Sequence, residues 1–279
     1  SYCIVPYVRG RERSRDPEAV VEEARQMGAA GYKEITLLGQ NVNSYGRGTA
    51  VDFPELLRRV NAIDGDFLIR FMTSHPKDAT DELFAAIAEC QKVSRHIHLP
   101  FQSGSDRILK QMNRGYTHDR YLDRIRTARR LVPDAAFTSD VIVGFPGETE
   151  RQHEELCEFI KEVKFDRLGV FAYSREEGTP AYRLPNQIDE ETKILRRDRL
   201  MEIQNGISKE LCKRFIGKIL PVLAEEMIDG VMCGRSIYDA PEVDGNVYFE
   251  GGEENMLGEI RNVLIKDADD YDLTGVYAE

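Results

Sequence analysis

No stretch of the 279-residue sequence approaches the ~20 consecutive apolar residues of a membrane-spanning helix, and the N-terminus lacks the basic and then apolar pattern of a signal peptide. A cytoplasmic protein without a membrane partner is expected. The five cysteines, Cys3, Cys90, Cys157, Cys212 and Cys233, contain no Cys-x-x-Cys pair. That argues against a disulfide framework and for free thiols in a reducing compartment. Repeats and low-complexity tracts are absent. Gly144, Pro146 and Gly147 look like a phosphate loop but lack its lysine and hydroxyl, so a turn shaping a pocket is expected there.

Positive charge is scarce toward the C-terminus. The chain has 38 Lys+Arg against 49 Asp+Glu, a net charge of −11. From Gly206 onward seven basic residues face sixteen acidic ones, or −9. Such a surface is expected to repel RNA and attract a basic protein, although a solvated acidic face with no partner has the same composition.

What is present is an alternation of helix and strand. Asp16-Pro17 caps and opens a helix, Thr80 caps DELFAAIAEC, and further helices are expected over FPELLRRVNAI, HDRYLDRIRTARRLV and TERQHEELCEFIKEV. Between them ITLLG, FLIRFM, HIHLP, FTSDVIVGF and DRLGVFAYS read as strands. This order predicts an α/β fold with a parallel sheet, whose ligands bind at the carboxyl ends of the strands. The loops GQN, TSHPKD, FQSGSD and GFPGE all follow strands and would converge on one mouth. After Thr179-Pro180 a long charged helix leads into ILPVLAEEMI, GVMCGRS, GNVYFEGG and GEIRNVLIKDA, short runs that predict a small antiparallel β-barrel. The expected domains are residues 1–205 and 206–279.

The opening stretch SYCIVPYVRGRERSR, followed in order by LLGQNVNSYG, TSHPKD, HIHLPFQSGSDRILKQMNRGYT and TSDVIVGFPGETE, resembles the radical-SAM methylthiotransferases, the MiaB and RimO family. The resemblance covers essentially the whole chain. It implies a partial (β/α)6 radical-SAM barrel lacking its first strand, followed by a TRAM-like domain. In that family a Cys-x-x-x-Cys-x-x-Cys loop is followed by Ile-x-Pro-x-x-Arg-Gly, so Cys3 matches the third cysteine, and the first two would precede Ser1. Three such thiolates hold a 4Fe-4S cluster whose open iron chelates S-adenosylmethionine for one-electron cleavage. One cysteine cannot do this, so the expectation is that the chain as it stands is inactive and that its parent enzyme carries a preceding domain with a second cluster.

The resemblance also assigns cofactor residues. Tyr2 matches an aromatic beside the adenine. Gln40 and Asn41 stand where the superfamily receives the cofactor's amino group, with amides in place of an acid. Ser74, with His75, follows the next strand, Gln102 and Ser103 the one after, and Asp140 lies in the strand leading to GFPGE. Taken singly, each reads equally as a solvated loop residue or a cap. Arg9 and Arg11, in a basic loop, are candidates for holding the acceptor.

Two acceptors are implied. Residues 1–150 use MiaB-like phrases and point to isopentenyl-adenosine beside the tRNA anticodon, which is the preferred reading. Residues 165–279 resemble RimO and point to an aspartate of ribosomal protein S-twelve. On that alternative Asp239, Glu242 and Asp244 form an exposed acidic loop that docks a basic protein. A non-catalytic binding module stays open as a third reading. The electron donor and the sulfur source are left undetermined.

Overall fold

The structure, a computed structural model, describes residues 1–10, 12–72 and 74–278. Along the chain come α1 (Val5–Arg9), α2 (Pro17–Ala29), β1 (Glu34–Leu37), α3 (Phe53–Asn61), β2 (Leu68–Phe71), α4 (Asp81–Glu89), β3 (His96–His98), α5 (Asp106–Gln111), α6 (His118–Leu131), β4 (Ala136–Val143), α7 (Glu150–Val163), β5 (Arg167–Ala172) and α8 (Glu190–Cys212). The C-terminal part adds β6 (Ile219–Ile228), β7 (Val231–Ser236), β8 (Val247–Glu250), β9 (Ile260–Ala268) and β10 (Leu273–Tyr277). Helix starts follow the local capping chemistry. Asp16 accepts from the Ala19 N–H at 3.0 Å and Thr80 from the Leu83 N–H at 3.2 Å, while Thr149 and Gln152 close a capping box on α7.

β1 pairs with β2 in parallel, as do β3 with β4 and β4 with β5. The Ile69 N–H donates to the Lys92 carbonyl at 2.7 Å and the Ser94 N–H to the Ile69 carbonyl at 2.9 Å, joining β2 to the segment entering β3. The five expected strands therefore form one parallel arc in sequence order. Alternation along the strands sorts the residues: Ile35, Ile69, Phe71, Ile97, Val141 and Leu168 pack in the main core. α3 covers that core with Phe53, Leu56, Leu57 and Val60, the spacing of one helix face. The opposite side of the arc carries Glu34, Arg70, His96, His98, Asp140 and Arg167, whose polar groups meet one another or the C-terminal domain.

The C-terminal strands close into a barrel in the order β10-β8-β7-β6-β9. Four seams are antiparallel, and β10–β8 is parallel. A closed ring of five strands cannot alternate direction all the way round, so at least one seam must be parallel. The fifth strand, β10, is the one the sequence pattern does not reveal. Helix α8 runs unbroken through Asn205 and Gly206, and the barrel's own core begins at Cys212. A glycine inside a helix costs only about 1 kcal/mol relative to alanine, too little to stop a helix packed against β5 and α7. Among the described residues no helix is long and apolar enough to cross a membrane.

The barrel docks against the amino ends of the arc. Arg70 donates to the Ser236 carbonyl at 2.9 Å, Arg167 to the Tyr271 carbonyl at 2.7 Å, and Arg235 reaches Glu34 at 3.2 Å. The expected acidic docking loop is part of this seam. Asp239 is buried 3.6 Å from Arg167, and the side chain of Asp244 is buried 3.6 Å from His96. Glu242 alone of the three is exposed, at a φ of 66°. The expectation of a free acidic surface at Asp239 and Asp244 is thus corrected: both carboxylates turn inward, Asp239 to the Arg167 guanidinium and Asp244 to the ring of His96.

Burial pushes the Asp239 carboxyl up to about 6, against the downward pull of Arg167 and the Ser236 hydroxyl. The unfolded chain has the ordinary value of about 3.9. Between those two values the folded state holds a proton that the unfolded state has released, so the stability from this group rises as pH falls from about 6 to about 4. We expect wild type to gain up to about 3 kcal/mol on Asp239→Asn as pH falls from 7 to 4, read from urea unfolding at each pH. A pH-independent difference between the two proteins would refute the burial of that carboxylate.

Candidate functional site

The carboxyl ends of the arc carry the sequence-nominated residues, and they divide into three groups. Cys3 is exposed and lines a cavity of about 900 Å³ together with Arg9, Leu38, Gln40, Asn41 and His75. Asn41 donates through Nδ2 to Asp78 at 2.7 Å, which leaves its Oδ1 a buried acceptor with no donor. Gln40 is exposed at the rim, and Ser74 is half-buried. His75 accepts the Lys77 N–H at Nδ1. Burial, with Arg114 adding its charge, lowers its pKa to about 4, so it is neutral at physiological pH. Arg11 lies outside the described residues.

The second group is built around Gln102. This residue has a φ of 72°, a left-handed conformation that costs a side chain other than glycine about 1–3 kcal/mol. It is held there because its N–H donates to the Asp140 carbonyl at 2.9 Å and its carbonyl accepts the Ile142 N–H at 3.0 Å. The side-chain Oε1 accepts from the Tyr2 hydroxyl at 2.7 Å, and that hydroxyl accepts from Arg114 at 2.9 Å. Tyr2 also packs edge-on against Phe145, with ring centres 6.3 Å apart, and burial raises its pKa. Ser103 is buried and serves the turn, accepting the Ser105 N–H at 3.3 Å.

Arg114 is a candidate site residue that sequence reasoning missed. Its guanidinium is half-buried and donates to the Tyr2 hydroxyl, and among the described residues its buried Nε has no partner and no carboxylate pairs with it. A cation taken partly out of water without a counter-charge is costly, which marks a place for an anionic group. The one signal in the sequence was an arginine in a tight Asn-Arg-Gly turn, with Asn113 at a φ of 62°.

The third group lies inside the arc, in a cavity of about 690 Å³ between β3–β5 and the C-terminal domain, lined by His98, Asp140, Phe171, Met201, Val243 and Tyr271 among others. Asp140 pairs with His98 Nε2 at 3.3 Å. Gly169 faces Asp140 across the strand pair, where a Cβ would sit only 2.6 Å from Asp140 Oδ1, so glycine is what leaves the carboxylate its space. Below the GFPGE turn the buried Glu148 accepts the Gly144 N–H at 2.7 Å and pairs with Arg196 at 2.8 Å. The glutamate of that motif is therefore structural.

This arrangement, a parallel arc with a lone cysteine and polar groups at its carboxyl mouth, meets its counterpart among family models. The Radical SAM superfamily model matches residues 1–160 and the TRAM domain model residues 216–277. The chain belongs to the radical SAM superfamily. A 4Fe-4S cluster and S-adenosylmethionine are the cofactors that go with that family. Two relatives are proteins named tRNA-2-methylthio-N(6)-dimethylallyladenosine synthase. One, from Acetivibrio thermocellus, is 47% identical over 99% of this chain and 57% of its own length. The other, from Clostridium beijerinckii, is 50% identical over 99% of this chain and 60% of its own length. The chain thus spans less than two thirds of the length of these radical SAM relatives. Coproporphyrinogen III oxidase (HemN) from Escherichia coli, a radical SAM enzyme, shares the fold at a TM-score of 0.54 and 13% identity, covering 70% of this chain and 47% of that one. The expected alternative acceptor, an aspartate of ribosomal protein S-twelve, finds no support here, since relatives named as tRNA synthases cover 99% of this chain, both domains included.

Proposed function

We propose that this chain is the barrel and C-terminal domain of an enzyme that replaces a hydrogen of N(6)-dimethylallyladenosine in tRNA with a methylthio group, using S-adenosylmethionine. The observation that carries the reading is the identity of 47–50% to synthases of that modification, continuous across 99% of the chain. The activity is assigned to the protein at the length of those relatives.

The mouth suits a zwitterionic, ribose-bearing cofactor. Arg114, a half-buried cation without a carboxylate, takes the cofactor's carboxylate, and Asn41 Oδ1, a buried acceptor without a donor, takes its ammonium. Gln102 and Asp140, bonded to each other through the backbone, take the ribose hydroxyls, and Tyr2 holds the Gln102 amide in place. When bound, the cofactor supplies the adenosyl and methyl groups of the transfer chemistry. Cys3 is the thiol at the mouth. Among the described residues no group of three His, Cys, Asp or Glu is placed to hold a metal, so these residues do not by themselves complete an iron–sulfur cluster.

The test takes the protein at the length of its relatives, reconstituted anaerobically with iron and sulfide and supplied with S-adenosylmethionine, a reductant and tRNA carrying N(6)-dimethylallyladenosine. Nucleoside mass spectrometry is expected to show a methylthio group in place of a hydrogen on that adenosine. An unmodified product in a preparation that binds the cofactor would overturn the reading. A finer prediction concerns Arg114→Gln, which is expected to weaken S-adenosylmethionine binding by about 1–3 kcal/mol, the range for a lost charge-assisted hydrogen bond. Methylthioadenosine, which lacks the amino-acid part, should bind as before, and equal losses for both ligands would remove Arg114 from the carboxylate.

A further inference from the structure

We infer that His98 is a positioning residue for Asp140, held as its Nε2–H tautomer by a chain of contacts that runs from His96 through the Thr138 hydroxyl. The inference rests on the ribose-binding role proposed for Asp140. The chain's three links join neighbouring strands in parallel register, with His96 opposite Ala136 and His98 opposite Thr138. His96 Nε2 and His98 Nδ1 each lie 2.9 Å from the Thr138 hydroxyl, and His98 Nε2 lies 3.3 Å from Asp140 Oδ2. At the other end His96 Nε2 is 3.6 Å from Asp244 Oδ2. The two imidazoles stack at 19° between planes.

The donor inventory allows one neutral arrangement that satisfies every link. A carboxylate only accepts, so His98, whose Nε2 lies 3.3 Å from Asp140 Oδ2, presents an Nε2–H to it. In a neutral ring His98 Nδ1 is then an acceptor, and the Thr138 hydroxyl, with its single hydrogen, donates to it. A lone pair of the same hydroxyl receives the Nε2–H of His96. That ring is fully buried, which keeps it neutral and leaves it one N–H to give. The chain therefore runs in one direction, from His96 to Thr138 to His98 to Asp140.

The consequence falls on Asp140. Its Oδ2 is engaged by His98, while its Oδ1 lies over Gly169 and has no hydrogen-bond partner among the described residues. One oxygen is fixed and the other is left for a ligand hydroxyl. A carboxylate held this way loses less rotamer freedom on binding, which is the effect expected of a positioning group.

The test has a spectroscopic arm and a binding arm, both on the full chain. Long-range proton–nitrogen correlation spectra of histidine-labelled protein are expected to show both His96 and His98 as Nε2–H tautomers. Thr138→Val, which keeps shape and removes the hydroxyl, is expected to shift the His98 Nδ1 resonance. An Nδ1–H tautomer at His98, or a spectrum indifferent to Thr138→Val, would overturn the inference. In the binding arm S-adenosylhomocysteine is the probe. His98→Leu is expected to lose roughly tenfold in affinity, and His98→Gln, whose amide can still donate to Asp140, should recover to within about threefold of wild type. If Asp140→Ala is weakened and His98→Leu is not, only the role of His98 falls. If Asp140→Ala binds like wild type, the ribose role of Asp140 falls and this inference falls with it.

Discussion

Glu34→Ala is expected to destabilise the folded chain by about 3–5 kcal/mol, the cost of breaking a buried ion pair from one side. Glu34 accepts from Arg70 Nε at 2.5 Å and lies 3.2 Å from Arg235. Arg70 is 2% exposed, and its Nη1 already lacks a partner. Without Glu34 its remaining bond is to the Ser236 carbonyl, a neutral acceptor supplied by the C-terminal domain. Arg235 suffers less, because Glu225 holds it through both oxygens at 2.7–3.0 Å. The loss therefore concentrates on Arg70, and the double variant Glu34→Ala/Arg70→Met should recover most of it by removing the stranded charge. Urea unfolding of the two variants against wild type gives the numbers. A single-variant loss under about 1 kcal/mol would mean that the pair is solvated and the domain seam is open.

Glu148→Ala should cost a similar ~3–5 kcal/mol, for a related reason with a local signature. The carboxylate is almost wholly buried and takes two donors at one oxygen, the Gly144 N–H and the Arg196 guanidinium. It thereby ties the turn after β4 to helix α8. Its removal leaves Arg196 inside the protein with the backbone carbonyl of residue 148 and, as its charged partner, only the exposed Glu150, each at 3.2 Å. Burial raises the Glu148 pKa despite both bonds, so the pair stands on geometry more than on charge. Amide exchange at Gly144 is expected to accelerate in this variant while exchange in the C-terminal barrel stays as it was. Uniform acceleration across both domains would show that Glu148 supports the whole fold and not this one turn.

Much of the architecture was legible because it is written in short-range patterns. The five strands of the parallel arc and the caps at Asp16 and Thr80 follow from residues within a few positions of one another. Helix α5, of six residues, and strand β10, of five, escaped notice. Ordered motifs carried the site as far as naming Cys3, Asn41, Gln102 and Asp140, since strand ends of a parallel sheet must converge. They did not reveal Arg114, whose importance lies in the absence of a carboxylate near it in space.

The sequence by itself therefore determined the order of elements, the two-part division into a parallel arc and a small barrel, and the superfamily. Tertiary structure alone decided which charges face solvent. Asp239 and Asp244 read as an exposed docking loop because loops with aspartate and proline are usually wet, yet they lie against Arg167 and His96, 72 and 148 positions away along the chain. The same holds for the chain from His96 to Asp140, which exists only because β3 and β4 pair in one register. Periodicity and capping act over a few residues, so a single strand or helix displays them. Whether a charge is paired depends on what folds against it from far along the chain, and no local pattern holds that information.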